Sequence, residues 1–261
     1  MNKLLTLTFA LTAGGALTNL SASLILVSPV ELSGTGLGSV NTVLTLQSPG
    51  SSTIETGCVG VAGGVTSTTG CGFADSDIQA QFGTPTLAQA GITDAASLRV
   101  VFNAAEPGSA PDIRLNNLVL TLYGNNGANT NFALNPTAGI LFPTTASGTG
   151  NSGYVFALTS TGLCNQITCP AGDTNQAATA QTFIDANGGL SGVRVGLGAS
   201  AGVAAGGTGS ATGGMETFFV ENLSTIGGPG GGTQSAVPEP ASLAMIGGGL
   251  IGLAFVRKRR K

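Results

Sequence analysis

No histidine and no tryptophan occur in the 261 residues, and only 8% of them are charged. Without histidine there is no Ser–His or Cys–His dyad and no imidazole to ligate a metal. The expectation is a protein that is not an enzyme and holds no cofactor. Paired carboxylates remain as acid–base chemistry, but a sequence does not show whether two acids meet in space. Two tyrosines, Tyr123 and Tyr154, leave little aromatic surface for stacking on sugar rings. Cations are scarce away from the ends. From Leu24 to Pro240 there are Arg99, Arg114 and Arg194, no lysine, and all twelve acids, which is three minus twelve, a formal charge of −9. A body this acidic repels phosphate backbones, so nucleic acid is excluded as a partner.

What is abundant is small. The 43 glycines, with many Ala, Ser and Thr, suit neither a helical bundle nor an average enzyme. The mean hydropathy of +0.35 reflects low charge, since long apolar runs occur only at the two ends. Between them, Asn117–Tyr123 is rich in β-formers, Gly124–Gly127 reads as a turn, and Asn131–Leu134 as a returning strand. Further strands are predicted at Val40–Leu46, Leu98–Asn103, Tyr154–Leu158, Val193–Leu197 and Glu216–Val220, separated by Gly, Asn, Pro and Ser clusters. One helix is predicted over Asn175–Ala186, ending before Gly188-Gly189. The class expected is all-β, an antiparallel β-sandwich or jelly-roll-like ectodomain.

The four cysteines, Cys58, Cys71, Cys164 and Cys169, are even in number and read as disulfides in an exported chain. Local pairing joins Cys58 to Cys71 and Cys164 to Cys169, although three pairings exist in principle. No Cys-x-x-Cys is present, so no metal site is expected. Asp75-x-Asp77 offers hard oxygens of the kind that bind Ca²⁺; a solvated turn is the simpler expectation. Gly202–Gly214 lacks the Lys-Ser/Thr of a phosphate loop and reads as a flexible loop. Asn222-Leu223-Ser224 matches a glycosylation sequon, a short motif that arises often by chance.

The ends carry the sharpest signals. Lys3, the uncharged and mostly apolar Leu4–Leu17, and the small residues Ser21-Ala22-Ser23 read as a secretory signal cleaved after Ser23. At the other end stand Val237, Pro238, Glu239 and Pro240, then an apolar run, then the basic cluster Arg257, Lys258, Arg259, Arg260 and Lys261. As a helix, the stretch Ala241–Val256 would be about 24 Å long, marginal for a bilayer core of roughly 30 Å. The basic cluster should stay cytoplasmic and the body outside. Two prolines keep Val237–Pro240 extended, the form a protease reads, and Glu239 adds one charge for a basic pocket to select. Gly227–Ser235 precedes it as a flexible spacer.

Pro-Glu-Pro, a short Gly-rich apolar segment and a terminal Arg/Lys cluster, in that order, resemble the PEP-CTERM sorting signal of Gram-negative and related bacteria. The resemblance implies processing by exosortase, a membrane transpeptidase-like enzyme, with Pro238, Glu239 and Pro240 as the residues it reads. Leu98–Phe102, Asn117–Tyr123, Gly150–Phe156, Val193–Leu197 and Gly214–Val220 also resemble a body found in several such proteins, which favours a single domain and supplies no activity. The organisation expected is a signal peptide over 1–23, an ectodomain over 24–226, a linker over 227–236 and a sorting tail over 237–261 with one transmembrane helix. The tail would hold an inner-membrane precursor before release to the cell surface or extracellular matrix. The role expected is structural or interactive, with extracellular polysaccharide as a further partner. The alternative is a surface carbohydrate-binding module, with or without dependence on Ca²⁺.

Overall fold

The computed structural model describes residues 22–32, 42–47, 54–73, 77–79, 83–104, 112–135, 139–143, 153–170, 173–202 and 214–222. The signal segment up to residue 21, the linker and the sorting tail lie outside them. The strands are β1 (Ala22–Leu32), β2 (Thr42–Leu46), β3 (Ile54–Ala62), β4 (Val65–Ser67), β5 (Leu98–Asn103), β6 (Asp112–Tyr123), β7 (Asn129–Asn135), β8 (Ile140–Pro143), β9 (Gly153–Leu158), β10 (Arg194–Gly202) and β11 (Glu216–Asn222). Between β9 and β10 stand α1 (Thr161–Cys164), α2 (Gln176–Ala186) and α3 (Gly189–Gly192).

All of these strands join one sheet in the order β2-β11-β5-β9-β1-β7-β6-β10-β3-β4, with β8 added on β6. The expected all-β class holds. The expected division into two sheets is replaced by a single sheet that curls. Its edge strand β2 comes over β3: Leu46 and Ile78 crowd Gly57 on β3, and Gln79 N–H donates to Thr45 at 3.0 Å. Curling lets one sheet enclose a core that would otherwise need a second layer. Pairing is antiparallel except between β1 and β7, which run parallel.

The apolar spacing explains these elements. In β6 the buried positions are Ile113 and Leu115, then Leu118, Leu120 and Leu122. The parity changes because the register against β10 shifts between Leu115 and Asn117. That is a β-bulge, and it returns the leucines to the core face. Asn116, the extra residue, donates through Nδ2 to the Gly202 carbonyl. Leu98, Val100 and Phe102 of β5 face the main core with Phe156, Phe218 and Val220. Phe102 stacks on Phe218 at 4.8 Å between centroids. The other face of the same strands holds a smaller buried cluster, Val101, Val155 and Phe219, with Val27 beside it.

The predicted helix forms as α2. Ala177, Ala180 and Ile184 are its buried face, spaced by three and four residues as a helix stripe requires. Asn175 makes no side-chain cap bond. Thr159 replaces it, accepting from Gln176 N–H through Oγ1 at 3.2 Å and from Ala177 N–H through its carbonyl at 2.9 Å. The helix stops where Gly188 takes φ +95°, a left-handed conformation that a side chain disfavours.

Candidate functional site

The register places the elements about one rim. β5 and β10 begin there, β6, β9 and β11 end there, and β1 enters there. Both disulfides form as expected from local pairing, with Cα–Cα distances of 6.0 Å for Cys58–Cys71 and 5.3 Å for Cys164–Cys169. The first fastens the chain after β4 to the outer face of β3. Phe73, carried by that segment, lies over Gly198 of β10, where any Cβ would collide with the ring. Tyr123 covers Gly60 and Gly196 in the same way. Two glycines of β10 are therefore roofed by aromatic rings and held by a covalent strap.

Arg194 ties the rim together. Its guanidinium donates to Thr84 O at 2.8 Å, to Gly64 O at 2.7 Å and to Thr66 Oγ1 at 3.3 Å. Arg99 is buried and donates through Nη1 to Ala96 O at 2.7 Å and Leu98 O at 2.8 Å. Burial pulls its pKa below the usual guanidinium value, and nearby Asp94 acts in the opposite direction. Tyr123 has its pKa raised, chiefly because burial disfavours the phenolate; hydrogen bonds with Thr121 and the Val61 backbone oppose the shift. These groups build the rim.

Asp77 is not the solvated turn residue expected. It is buried, and Oδ2 accepts from Thr56 N–H at 2.9 Å while its carbonyl accepts from Gln47 N–H at 2.8 Å. Its carboxylate fastens the 77–79 segment across β3, the step that closes the curl. Asp75 lies outside the described residues. Among the described residues no group of three potential metal ligands occurs. Tyr154 is buried against Phe142, 4.2 Å between ring centroids, and presents no face to a sugar. Asn222, the sequon residue, is 8% exposed, and its Nδ2 donates to Gly91 O at 2.9 Å and Thr93 Oγ1 at 3.2 Å. A glycan cannot be attached to that amide while the strand is folded.

The chain leaves β11 at this rim, and after fourteen intervening residues reaches Val237. Val237, Pro238, Glu239 and Pro240 with the cluster Arg257–Lys261 lie outside the described residues, as does the expected transmembrane segment. Among the described residues no helix is long and apolar enough to cross a membrane. Residues 236–260 match the family model of the PEP-CTERM protein-sorting motif. The chain carries that motif at its C-terminal end. The match starts one residue before Val237 and includes the prolines, the glutamate, the apolar run and the basic cluster up to Arg260. A PEP-CTERM motif implies an exported, envelope-directed protein with exosortase as its processing partner, and two disulfides agree with an oxidising compartment. No curated protein matches the chain.

Sequence reasoning did not find the aromatic roof over β10. Its signal was alternation of another kind: Val195, Leu197 and Ala199 inward, Gly196 and Gly198 outward. Glycine at two successive outward positions, 196 and 198, marks a close approach, but which ring approaches is a tertiary fact.

Proposed function

We propose that this protein is a non-enzymatic structural or interaction component of the cell envelope or extracellular matrix, delivered by its PEP-CTERM tail. Residues 1–23 act as the signal peptide. Ala241–Val256 holds the precursor in the inner membrane as a single transmembrane helix, and exosortase reads Pro238, Glu239 and Pro240. The match over 236–260 carries this reading. The body supports a passive role: its conspicuous polar side chains, Arg99, Arg194 and Asp77, are bonded to backbone groups of the fold itself. A carbohydrate module is disfavoured by the burial of Tyr154, which leaves Tyr123 as the one tyrosine with exposed surface.

The test replaces Pro238, Glu239 and Pro240 together with alanine and follows the protein by blotting membrane and surface fractions. A larger precursor should accumulate in the inner membrane, and deletion of the exosortase gene should give the same band. Normal amounts of normal-sized protein at the surface would show that the tail is only an anchor.

A further inference from the structure

β1 is the first strand of the described chain, yet it sits in the middle of the sheet, between β9 and β7. Its seams are the least regular of the sheet. Against β9 the register shifts twice, between Leu26 and Ser28 and between Ser28 and Leu32. Against β7 the pairing is parallel, covers only Ala22, Leu24 and Ile25, and shifts once. By contrast β5 and β9 pair without a break from Arg99–Ala157 to Asn103–Gly153. Beyond Ile25, β1 has no described partner on the β7 side. An open groove of about 700 Å³ lies along that flank, walled by Ile25, Leu26, Asn135, Ile140 and Leu141.

What β1 supplies is nevertheless central. Leu24 is fully buried in the main core and Ile25 nearly so. Without β1, β9 and β7 would each present an unpaired edge, the template another strand completes. Nine residues, 33–41, join β1 to β2, which lies four strands away at the edge of the sheet. Four inter-strand steps amount to roughly 19 Å. A nine-residue connection reaches at most about 30 Å. As the first described strand, filling an essential slot by irregular seams and joined to β2 by a short connection, β1 is the kind of element that moves between copies.

We propose that β1 is an exchangeable strand: the slot between β9 and β7 accepts β1 of a second copy of this chain, linking envelope copies by main-chain pairing. The pairing is self-complementary, because the donated strand makes the same rungs, Ile25 to Ala157 and Ile25 to Asn135, that it makes within one chain. Folding in isolation favours the intrachain strand through its high effective concentration, so exchange belongs to folding at high local concentration. This inference does not depend on the sorting tail.

Two full-length preparations carrying different affinity tags, with native disulfides intact, would be unfolded and then refolded either together or separately before mixing. Exchange predicts co-purification of the two tags after joint refolding, several-fold above the separately refolded mixture, rising with concentration. Association through the apolar tail gives equal amounts in both arms, and equal or absent co-purification overturns the proposal. A second measurement maps the rung. Ile25→Cys in one tagged chain and Ala157→Cys in the other should yield a disulfide-linked hetero-tagged dimer after joint refolding. The double variant within one chain provides the control that the pair is in reach. An efficient intrachain bond in the control with no interchain bond in the mixture also overturns the proposal.

Discussion

At the scale of single residues, the outer face of β10 depends on what is missing. A Cβ at Gly196 would stand 2.5 Å from Val59 O, 2.8 Å from Tyr123 Cε2 and 3.1 Å from Gly60 Cα. Two of these are backbone atoms, which cannot swing aside. Gly196→Ala should therefore destabilise the protein by about 1–3 kcal/mol through overpacking. Gly83 has nothing within 4 Å of its Cβ position, so Gly83→Ala should change stability by under about 0.5 kcal/mol. Urea unfolding of the two variants, read by tyrosine fluorescence, makes the comparison. Tyr123 adds a pH signature. Its folded pKa is raised by burial, so the unfolded phenol ionises first. The stability it contributes is whole below about pH 10, the ordinary tyrosine value, and is lost as pH rises through the folded pKa. The urea midpoint should fall more steeply on the alkaline side in the parent than in Tyr123→Phe. Parallel curves for the two proteins would show that the phenol is not linked to folding.

At the scale of elements, the two disulfides close loops of different length. Sequence separations are 13 for Cys58–Cys71 and 5 for Cys164–Cys169. On the chain-entropy account, removing the first by a paired Cys→Ser change should cost about 3 kcal/mol and the second about 2 kcal/mol. The gap should widen beyond this, because Cys71 also holds Phe73 over Gly198. Thermal unfolding of the two double-serine variants tests the order; a larger loss for Cys164/Cys169 would mean that the strap over β10 contributes nothing. The elements also show how far local reading carries. The 98–103 strand, the Gly124–Gly127 turn and the α2 helix were legible because each is encoded over adjacent residues: continuous β-formers, a turn with Gly127 at φ +84°, an apolar stripe ending at glycine. β3 was not, because Gly57, Cys58 and Gly60 interrupt its pattern and are explained only by the neighbours above them. β4 and β8 have 3 and 4 residues, too short for periodicity to register.

At the scale of the whole molecule, the entry of β1 and the exit of β11 share one rim. Glu221, Arg99, Ala157, Ile25 and Asn135 form a continuous rung across five strands. Cleavage after Ser23 would remove Ala22, which pairs with Ala133, and leave Leu24 as the first residue with its side chain in the core. The mature N-terminus is therefore expected within about two residues of Leu24, since a later cut would strip a buried leucine worth about 1.5–3 kcal/mol. N-terminal sequencing of envelope-derived protein checks this; a start at Met1, or beyond Ile25, would contradict it.

By itself the sequence determined the β class, the one longer helix and the sorting motif at 236–260. All are properties of short stretches, where composition and spacing act directly on the backbone or on a partner that reads an extended segment. Tertiary structure alone decided that the strands make one curled sheet, that β1 sits at its centre beside a parallel neighbour, and that Asp77 is a buried fastener. It also decided that Tyr123 and Phe73 roof glycines of the sheet. Those outcomes depend on which residues distant in the chain come together. A strand's pattern states that one face is buried, but it does not say which neighbour lies alongside or what lies above.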